Sequence, residues 1–272
     1  MVVDNLKLGV IGVGKMGGII ARSIAGRLLP AQQIWITDLD RKLVTQLCEE
    51  KNVNAASDIN ELIKKTDVIL CAVPPVAVPH ILPQVTHSLS SPQWIISIAA
   101  GVTTETLESY FENPPPVVRV MPNIAASVEA AISVLTAGSV ADEKHIAIAQ
   151  QIFNACGTTL VMEERHLNAV TGVSGSGPAY VALFIEALAD AGVHVGLPRQ
   201  DAQTLAIHTV LGGATMLAQS QEHPAVLKNR VTTPGGTTAA GLHALERGGL
   251  RATLAEAILA ATERAQQLGT EK

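Results

Sequence analysis

Three glycines near the start of the chain have the spacing of a dinucleotide-binding turn. They lie in Gly12-Val13-Gly14-Lys15-Met16-Gly17, after the apolar run Leu6–Ile11 and before a stretch of helical character. The first glycine of such a turn permits a tight bend, the second lets the backbone approach a pyrophosphate, and the third lets helix and strand pack closely. The N–H groups that open the helix would bind the anion. A purely structural glycine turn is the alternative, but the strand and helix around the motif favour a cofactor site.

An acidic residue follows this turn at the expected distance. Asp38 ends the second predicted strand, about 20 residues downstream of the turn. A carboxylate there would pair with the ribose hydroxyls of NAD and repel the 2′-phosphate of NADP. Arg41 and Lys42 come just beyond and could offset that repulsion. The residues alone therefore leave the choice between NADH and NADPH open.

A second glycine pair could bind a carboxylate. Gly235 and Gly236 precede Thr237 and Thr238, at the start of a predicted helix. Consecutive glycines let backbone N–H groups face an anion, and the helix N-terminus adds a favourable partial charge. The threonine hydroxyls could contact a substrate, or one of them could simply cap the helix.

Other polar residues give weaker indications. Glu164 could face a substrate or could be a solvated or capping residue. We interpret Arg119 as a structural ion-pair partner at the domain junction, with substrate steering as the alternative. The cysteines Cys48, Cys71 and Cys156 form no CxxC pair, and neither they nor the histidines have metal-ligand spacing. We therefore predict no metal site, and we expect reduced cysteines in a cytoplasmic protein.

The elements that would position these residues change character along the chain. Up to residue 164, short β-rich runs alternate with helical stretches, which predicts an α/β domain with a Rossmann-type parallel sheet and crossover helices. The predicted strands are Leu6–Ile11, Gln33–Thr37, Val68–Ala72, Trp94–Ile98, Val117–Val120, Ala131–Thr136 and Thr159–Val161.

From residue 165 to 272 the sequence predicts an all-helical domain for substrate binding and dimerisation. Its first long helix, Pro178–Ala191, should end before Gly192 and is apolar on nearly every face. Such a helix should be buried from several sides, so we expect a homodimer or a higher homo-oligomer built on dimers. Further helices are predicted at Arg199–Gln219, Thr238–Glu246 and Leu250–Leu268.

The composition agrees with a surface that is buried in an oligomer, and it argues against a membrane-spanning or a nucleic-acid-binding protein. Apolar residues make up 47% of the 272 residues, only 16% are charged, and the mean hydropathy is +0.30. No apolar run reaches the roughly 18 residues that a membrane helix needs. The net charge of −5, with no basic run, makes nucleic acid and anionic membranes poor candidates for partners.

Four further segments resemble one enzyme family. They are Ser97–Gly101 (SIAAG), Val118–Asn123 (VRVMPN), Ser174–Tyr180 (SGSGPAY) and Val231–Thr238 (VTTPGGTT). In order and spacing they look like the hallmark segments of pyrroline-5-carboxylate reductases, and the resemblance covers Gly12–Leu268. It implies hydride transfer to the cyclic imine 1-pyrroline-5-carboxylate to give L-proline, the last step of proline biosynthesis. NADPH is the expected cofactor, with NADH as the alternative.

The glycine patterns and the resemblance together give the expected site. The resemblance places Asn54 at the adenosine end and the loop 99–101 at the nicotinamide side. The expected cofactor contacts are Ile11, Gly12, Val13, Gly14, Lys15, Met16, Gly17, Asp38, Asn54, Ala72, Val73, Pro74, Pro75, Ala99, Ala100 and Gly101. The expected substrate contacts are Glu164, Gly235, Gly236, Thr237 and Thr238, with Thr238 as the catalytic residue.

The chain departs from the family pattern at two places. Val73-Pro74-Pro75-Val76 stands where the family usually has Val-Lys-Pro-Gln, so a lysine beside the expected cofactor is missing. Lys228-Asn229-Arg230-Val231 stands where the family usually has Lys-Asp-Asn/Ser-Val. Neither departure touches the glycine turns or Thr238.

Two other functions fit part of the pattern. β-Hydroxyacid dehydrogenases share the glycine turn, but they need a lysine base on a Gly-Gly-x-x-Lys helix. No lysine follows Gly212-Gly213 or Gly235-Gly236 at that distance. A non-catalytic dinucleotide sensor would have no need of the Pro-Gly-Gly-Thr-Thr loop. Imine reduction is therefore the favoured prediction.

Overall fold

One mixed sheet occupies the first part of the chain in the computed structural model, which describes residues 5–270. Its strands are β1 (Leu8–Ile11), β2 (Ile34–Thr37), β3 (Asn54–Ala55), β4 (Val68–Cys71), β5 (Trp94–Ser97), β6 (Val117–Met121), β7 (Ala131–Ala137) and β8 (Gly157–Val161). They lie in the order β3-β2-β1-β4-β5-β6-β7-β8. The chain leaves β1 first towards β2 and later returns to its other side at β4. That reversal creates a crevice at the carboxyl ends of the strands.

The helices that cover the sheet come between its strands. They are α1 (Lys15–Ile24), α2 (Arg41–Lys51), α3 (Ile59–Lys65), α4 (Val78–Ser88), α5 (Thr104–Glu108) and α6 (Glu143–Asn154). The central strands β1, β4 and β5 are buried along their whole length, which explains why they are almost wholly apolar. Two apolar clusters form the core around the sheet, and Leu8, Val10 and Leu70 belong to one while Ile11 and Ile69 belong to the other.

The predicted parallel sheet is correct except for one strand pair. β6 and β7 are antiparallel, whereas the other pairs are parallel. The connection 122–130 between β6 and β7 is shorter than the roughly dozen residues that a parallel crossover needs. The two-residue strand β3 was not predicted, because so short a segment carries no periodicity.

The remaining helices form the second part of the chain. They are α7 (Leu167–Val170), α8 (Gly177–His194), α9 (Arg199–Ser220), α10 (Pro224–Arg230), α11 (Thr237–Arg247) and α12 (Leu250–Thr270), with a π-helical turn at Thr171–Gly175 between α7 and α8. The predicted end of α8 before Gly192 is wrong. A Cβ at Gly192 would lie 3.1 Å from the Cβ of Ala202, so this glycine lets α8 and α9 pack closely and the helix continues past it.

By packing, the chain divides into two units. One comprises the described residues up to Ser176 together with the chain from Leu259 onward, and the other comprises Gly177–Ile258. Because packing alone does not define a domain, the predicted boundary after residue 164 stays a prediction. In the helical unit, many large apolar side chains are exposed, among them Leu183 (65%) and Leu205 (55%). Among residues 5–270, no helix is both long and apolar enough to cross a membrane.

Candidate active site

The three glycines of the first turn have different surroundings. Gly12 has φ +91°, and a Cβ there would lie 2.8 Å from the carbonyl oxygen of Ala72. A Cβ at Gly17 would lie 1.9 Å from the carbonyl oxygen of Gly12. At Gly14, in contrast, a Cβ would meet no atom within 4 Å. Packing within the protein therefore requires the first and third glycines, whereas the second faces open space.

The start of α1 offers unpaired donors beside this open space. Gly14 is the N-cap residue of α1 and supplies no capping side chain. The N–H groups of Lys15, Met16 and Gly17 donate to no backbone acceptor within residues 5–270. Free N–H groups and the helix dipole together favour an anion at this end of the helix.

A cavity of about 380 Å³ opens at the same place. It lies among the loops that follow β1, β2 and β4, at the carboxyl edge of the sheet. Its lining residues are Ile11, Gly12, Gly14, Thr37, Asp38, Leu39, Arg41, Ser57, Asp58, Ile59, Ala72, Val73, Pro74, Ala77, Ile81 and Gln84. Its position at the point where the strand order reverses is the usual position of a nucleotide site in this kind of sheet.

The structure brings seven of the predicted cofactor residues to this cavity. They are Ile11, Gly12, Gly14, Asp38, Ala72, Val73 and Pro74. The sequence did not identify Leu39, Ser57, Asp58, Ile59, Ala77, Ile81 or Gln84. These residues come from the segments after β2, β3 and β4 and from α4. The sheet order, which spacing does not reveal, brings them together.

The carboxylate of Asp38 holds the glycine turn in place. Its Oδ2 accepts from the N–H of Val13 at 2.7 Å, and its Oδ1 accepts from the N–H of Asp40 at 2.9 Å. Arg41 lines the cavity and donates to the carbonyl oxygens of Ala56, at 3.1 Å, and Ser57. Backbone donors therefore stabilise the negatively charged carboxylate of Asp38, and a guanidinium lies on the same cavity wall.

The other predicted cofactor residues lie outside the cavity lining. Asn54 lies in β3, opposite Trp35 of β2, and its amide nitrogen donates to the carbonyl oxygens of Gln32 (2.8 Å) and Ile34 (3.1 Å). Pro75 begins a 3₁₀ turn after the Ala72–Pro74 loop. Ala99, Ala100 and Gly101 follow β5, the neighbour of β4 in the sheet. Cofactor contacts by these residues stay predictions.

Glu164 belongs to a network around a buried guanidinium. The side chain of Arg119 is 2% exposed, and its Nη1 lies 2.8 Å from Oε1 of Glu164. Thr104 donates its N–H to Oε1 at 3.0 Å and its hydroxyl to Oε2, and Arg119 also reaches Oδ1 of Asn168 at 3.4 Å. The ion-pair interpretation of Arg119 is confirmed. Both oxygens of Glu164 have protein partners, so a substrate would share this carboxylate with them.

Replacing Glu164 by alanine should destabilise the fold, because Arg119 would be left buried without its partner. Breaking a fully buried pair costs about 3–5 kcal/mol. Because the Glu164 side chain is 28% exposed, we expect about 1–3 kcal/mol in urea unfolding at fixed protein concentration. Glu164→Gln is the matched control and should lose less, since it keeps an acceptor oxygen. Equal stability of Glu164→Ala and wild type would contradict a structural role for the pair.

The Pro-Gly-Gly-Thr-Thr loop leads directly into α11. Gly235 has φ +72°, a conformation that favours glycine, and Gly236 is the N-cap residue without a capping side chain. Thr237 and Thr238 are therefore the first two residues of the helix, and neither is its cap. Thr237 is exposed and Thr238 is half-buried.

The first turn of α11 carries unpaired donors, as α1 does. The N–H groups of Thr237, Thr238 and Ala239 donate to no backbone acceptor in the described part of the chain. Within the same residues, the hydroxyl of Thr238 makes no hydrogen bond. A half-buried hydroxyl beside free N–H groups can hold a carboxylate and contact a neighbouring polar atom of the same ligand.

The two departures from the family pattern have simple structural settings. Pro74 contributes to the cavity wall, and Val76 is exposed in the turn that follows. Arg230 lies 2.6 Å from Oε2 of Glu222, in an ion pair exposed to solvent. Such a pair contributes little to stability.

Comparisons with known proteins agree with this geometry. Residues 164–268 match the family model described as pyrroline-5-carboxylate reductase dimerisation, and residues 7–101 match the one described as NADP oxidoreductase, coenzyme F420-dependent. Pyrroline-5-carboxylate reductase of Arabidopsis thaliana is 43% identical over 97% of this chain and 96% of its own length. The Escherichia coli enzyme of that name is 37% identical over 96% of this chain and 98% of its own length.

Solved structures give the same result. The Plasmodium falciparum pyrroline carboxylate reductase with NADP bound is 32% identical, with a TM-score of 0.88 over 98% of this chain and 99% of that one. The Coxiella burnetii pyrroline-5-carboxylate reductase is 31% identical, with a TM-score of 0.92 over 97% of this chain and 99% of that one.

Proposed function

This chain belongs to the pyrroline-5-carboxylate reductase family, and we propose which of its residues carry out the reaction. That reaction is the NAD(P)H-dependent reduction of 1-pyrroline-5-carboxylate to L-proline. The protein is an oxidoreductase that acts on a C=N bond. The observation that carries the assignment is the identity of 43% to an enzyme of this name along nearly the whole chain. The predicted family and fold are thereby confirmed.

The first glycine turn fits a dinucleotide. The open space at Gly14 leaves room for a pyrophosphate, and the unpaired N–H groups of Lys15, Met16 and Gly17 can donate to it. The cavity that includes Asp38 and Arg41 would hold the adenosine half. When bound, the reduced nicotinamide supplies the hydride. These residues bind and orient the cofactor and take no part in the chemical step.

NADPH is the cofactor that this cavity suits best. The Plasmodium falciparum relative has NADP bound, and the matched family model is that of an NADP oxidoreductase. Arg41 on the cavity wall can pair with a 2′-phosphate and so offset the repulsion from the carboxylate of Asp38. NADH stays the alternative.

Asp38→Ser should shift preference further towards NADPH. The substitution removes one of the two carboxylates that line the cavity, Asp38 and Asp58, and it removes an acceptor for the ribose hydroxyls of NADH. The ratio of kcat/KM for NADPH over NADH should rise by about tenfold, the equivalent of one hydrogen bond. Asp38→Asn is the control that keeps the side-chain size and an acceptor for Val13. An unchanged ratio in both variants would show that Asp38 serves only to hold the turn.

Thr238 is the residue to which we assign a catalytic role. The imine reacts with its nitrogen protonated. As hydride adds to the imine carbon, the π electrons of the C=N bond become a lone pair on the ring nitrogen, which keeps its proton as the N–H of proline. A hydroxyl that donates to this lone pair is favoured more in the transition state than in the ground state. The N–H groups that open α11 would hold the carboxylate of the substrate, with Gly235 and Gly236 keeping that approach clear. Glu164 and Thr237 stay proposed substrate contacts.

The direct test of the function is a pair of activity assays. Purified protein should consume NADPH when given 1-pyrroline-5-carboxylate and should form proline in equal amount. It should not reduce NADP⁺ when given 3-hydroxy acids, because no lysine base follows its glycine pairs. The opposite pattern would assign it to hydroxyacid oxidation, and NADPH binding without either reaction would make it a sensor.

We also propose that the helical unit pairs with a second copy of the chain. The family model that matches residues 164–268 is described as a dimerisation model. In the single chain, apolar side chains of α8 and α9, such as Leu183 and Leu205, are exposed to solvent. Light scattering at micromolar concentration should show a dimer or a multiple of one. A fully active monomer would contradict this proposal.

The cytoplasm is the location we propose for the protein. Cys48, Cys71 and Cys156 are all free thiols. Burial raises the pKa of the Cys71 thiol to about 11, so this residue stays protonated and unreactive at neutral pH.

A further inference from the structure

Two glycines far apart in the sequence meet through their backbones. Gly101 lies in the loop after β5 and has φ +80°. A Cβ there would lie 2.6 Å from the carbonyl oxygen of Ala265 and 2.8 Å from the nitrogen of Gly269. Conversely, a Cβ at Gly269 would lie 2.2 Å from the carbonyl oxygen of Gly101. The loop 99–101 therefore rests directly on the backbone at the end of α12.

Few hydrogen bonds hold this loop. Among the described residues, no backbone–backbone hydrogen bond involves residues 99–101. Ala99 and Gly101 are nevertheless buried, and so is Ala265 on the facing helix. The loop is thus held by close packing against α12 and by one hydrogen bond, from the N–H of Ala99 to Oγ of Ser97 at 3.4 Å.

The loop lies next to the cofactor cavity on the side away from β2. Ile98, just before it, donates its N–H to the carbonyl oxygen of Cys71 at 3.1 Å. The loop 99–101 is thus beside the Ala72–Pro74 segment, which lines the cavity. A dinucleotide with its adenosine half towards β2 extends its other half across the strand-order reversal, towards β4 and β5.

We propose that Gly269 is a positioning residue for hydride transfer. With Gly101, it sets the place of the loop 99–101, against which the nicotinamide half of the cofactor lies. The end of α12 thereby becomes part of the reductase site without touching the cofactor. This inference rests on the proposed function, which identifies the bound dinucleotide as NADPH.

Gly269→Ala tests this role cleanly. A Cβ 2.2 Å from the carbonyl oxygen of Gly101 is far inside van der Waals contact, so the loop 99–101 and the end of α12 must move apart by on the order of 1 Å. A displacement of this size can reduce the rate of the reaction by up to about a hundredfold. Alanine favours a helix over glycine by about 1 kcal/mol, so a loss of activity cannot come from a weaker helix.

Two measurements distinguish a positioning role of Gly269 from a general loss of structure. NADPH should bind about tenfold more weakly to Gly269→Ala, whereas 2′,5′-ADP, which fills only the adenosine end, should bind as it does to wild type. The kinetic isotope effect with NADPH deuterated at its transferable position should rise as hydride transfer becomes slower. Gln266→Ala, an exposed change on the same helix, is the matched control and should resemble wild type in each measurement.

Three outcomes would overturn the proposal. They are unchanged NADPH binding and kcat in Gly269→Ala, equal weakening of NADPH and 2′,5′-ADP, and an unchanged isotope effect with reduced kcat. Because the binding comparison needs no imine, it tests the role of Gly269 even if the imine were not reduced. A failure of the proposed function is therefore distinguishable from a failure of this inference.

Discussion

Gly14→Val should bind NADPH about a hundredfold more weakly than wild type while the chain remains folded, a loss of about 2.7 kcal/mol. A side chain at this position meets no protein atom within 4 Å, and the φ of −63° suits any residue. Valine would instead fill the space that the pyrophosphate needs at the start of α1. Calorimetric titration with NADPH measures the loss, and thermal unfolding without cofactor checks the fold.

The control for this experiment lies three residues further on. Gly17→Ala should lose stability, because its Cβ would lie 1.9 Å from the carbonyl oxygen of Gly12. The two glycines thus separate an effect on ligand space from an effect on packing. A folded Gly14→Val variant with wild-type affinity for NADPH would rule out this turn as the binding site.

Thr238→Ala should lower kcat with the imine by about one to two orders of magnitude. Losing one hydrogen bond to a charged or charge-developing group costs about 1.5–3 kcal/mol, and each 1.4 kcal/mol is tenfold in rate. Binding of NADPH alone should not change, since no dinucleotide contact is assigned to this hydroxyl. Steady-state kinetics and a separate NADPH titration measure the two effects.

Thr238→Ser distinguishes the hydroxyl from the rest of the side chain. Serine keeps the donor and removes only a methyl group, so it should recover much of the lost rate. Gly236, not Thr238, is the N-cap of α11, so loss of a helix cap cannot explain a large effect of alanine. If both variants stay near wild type, the partner of the ring nitrogen is Glu164 or a water molecule.

Short-range geometry made much of the site predictable. The glycine turn is specified by steric rules over a few residues, and Gly12, Gly14 and Gly17 each have the surroundings those rules require. The central strands were predictable because β1, β4 and β5 are buried on both faces and are therefore almost wholly apolar.

Contacts between distant segments were not predictable in this way. The end of α8 was misjudged because the packing of Gly192 against Ala202 depends on a neighbouring helix. Likewise, no local pattern in the sequence indicates that the N–H of Val13 donates to the carboxylate of Asp38. The contact of Gly101 with Gly269 joins two segments that no local periodicity relates.

Transfer of deuterium from cofactor to product tests the central claim most directly. The protein would be incubated with 1-pyrroline-5-carboxylate and NADPH deuterated at its transferable position, and the product would be examined by mass spectrometry and NMR. If the chain is the reductase described above, proline forms with one deuterium on the ring carbon that belonged to the C=N bond. Unlabelled imine and unconsumed NADPH, with enzyme that binds the cofactor normally, would contradict the account.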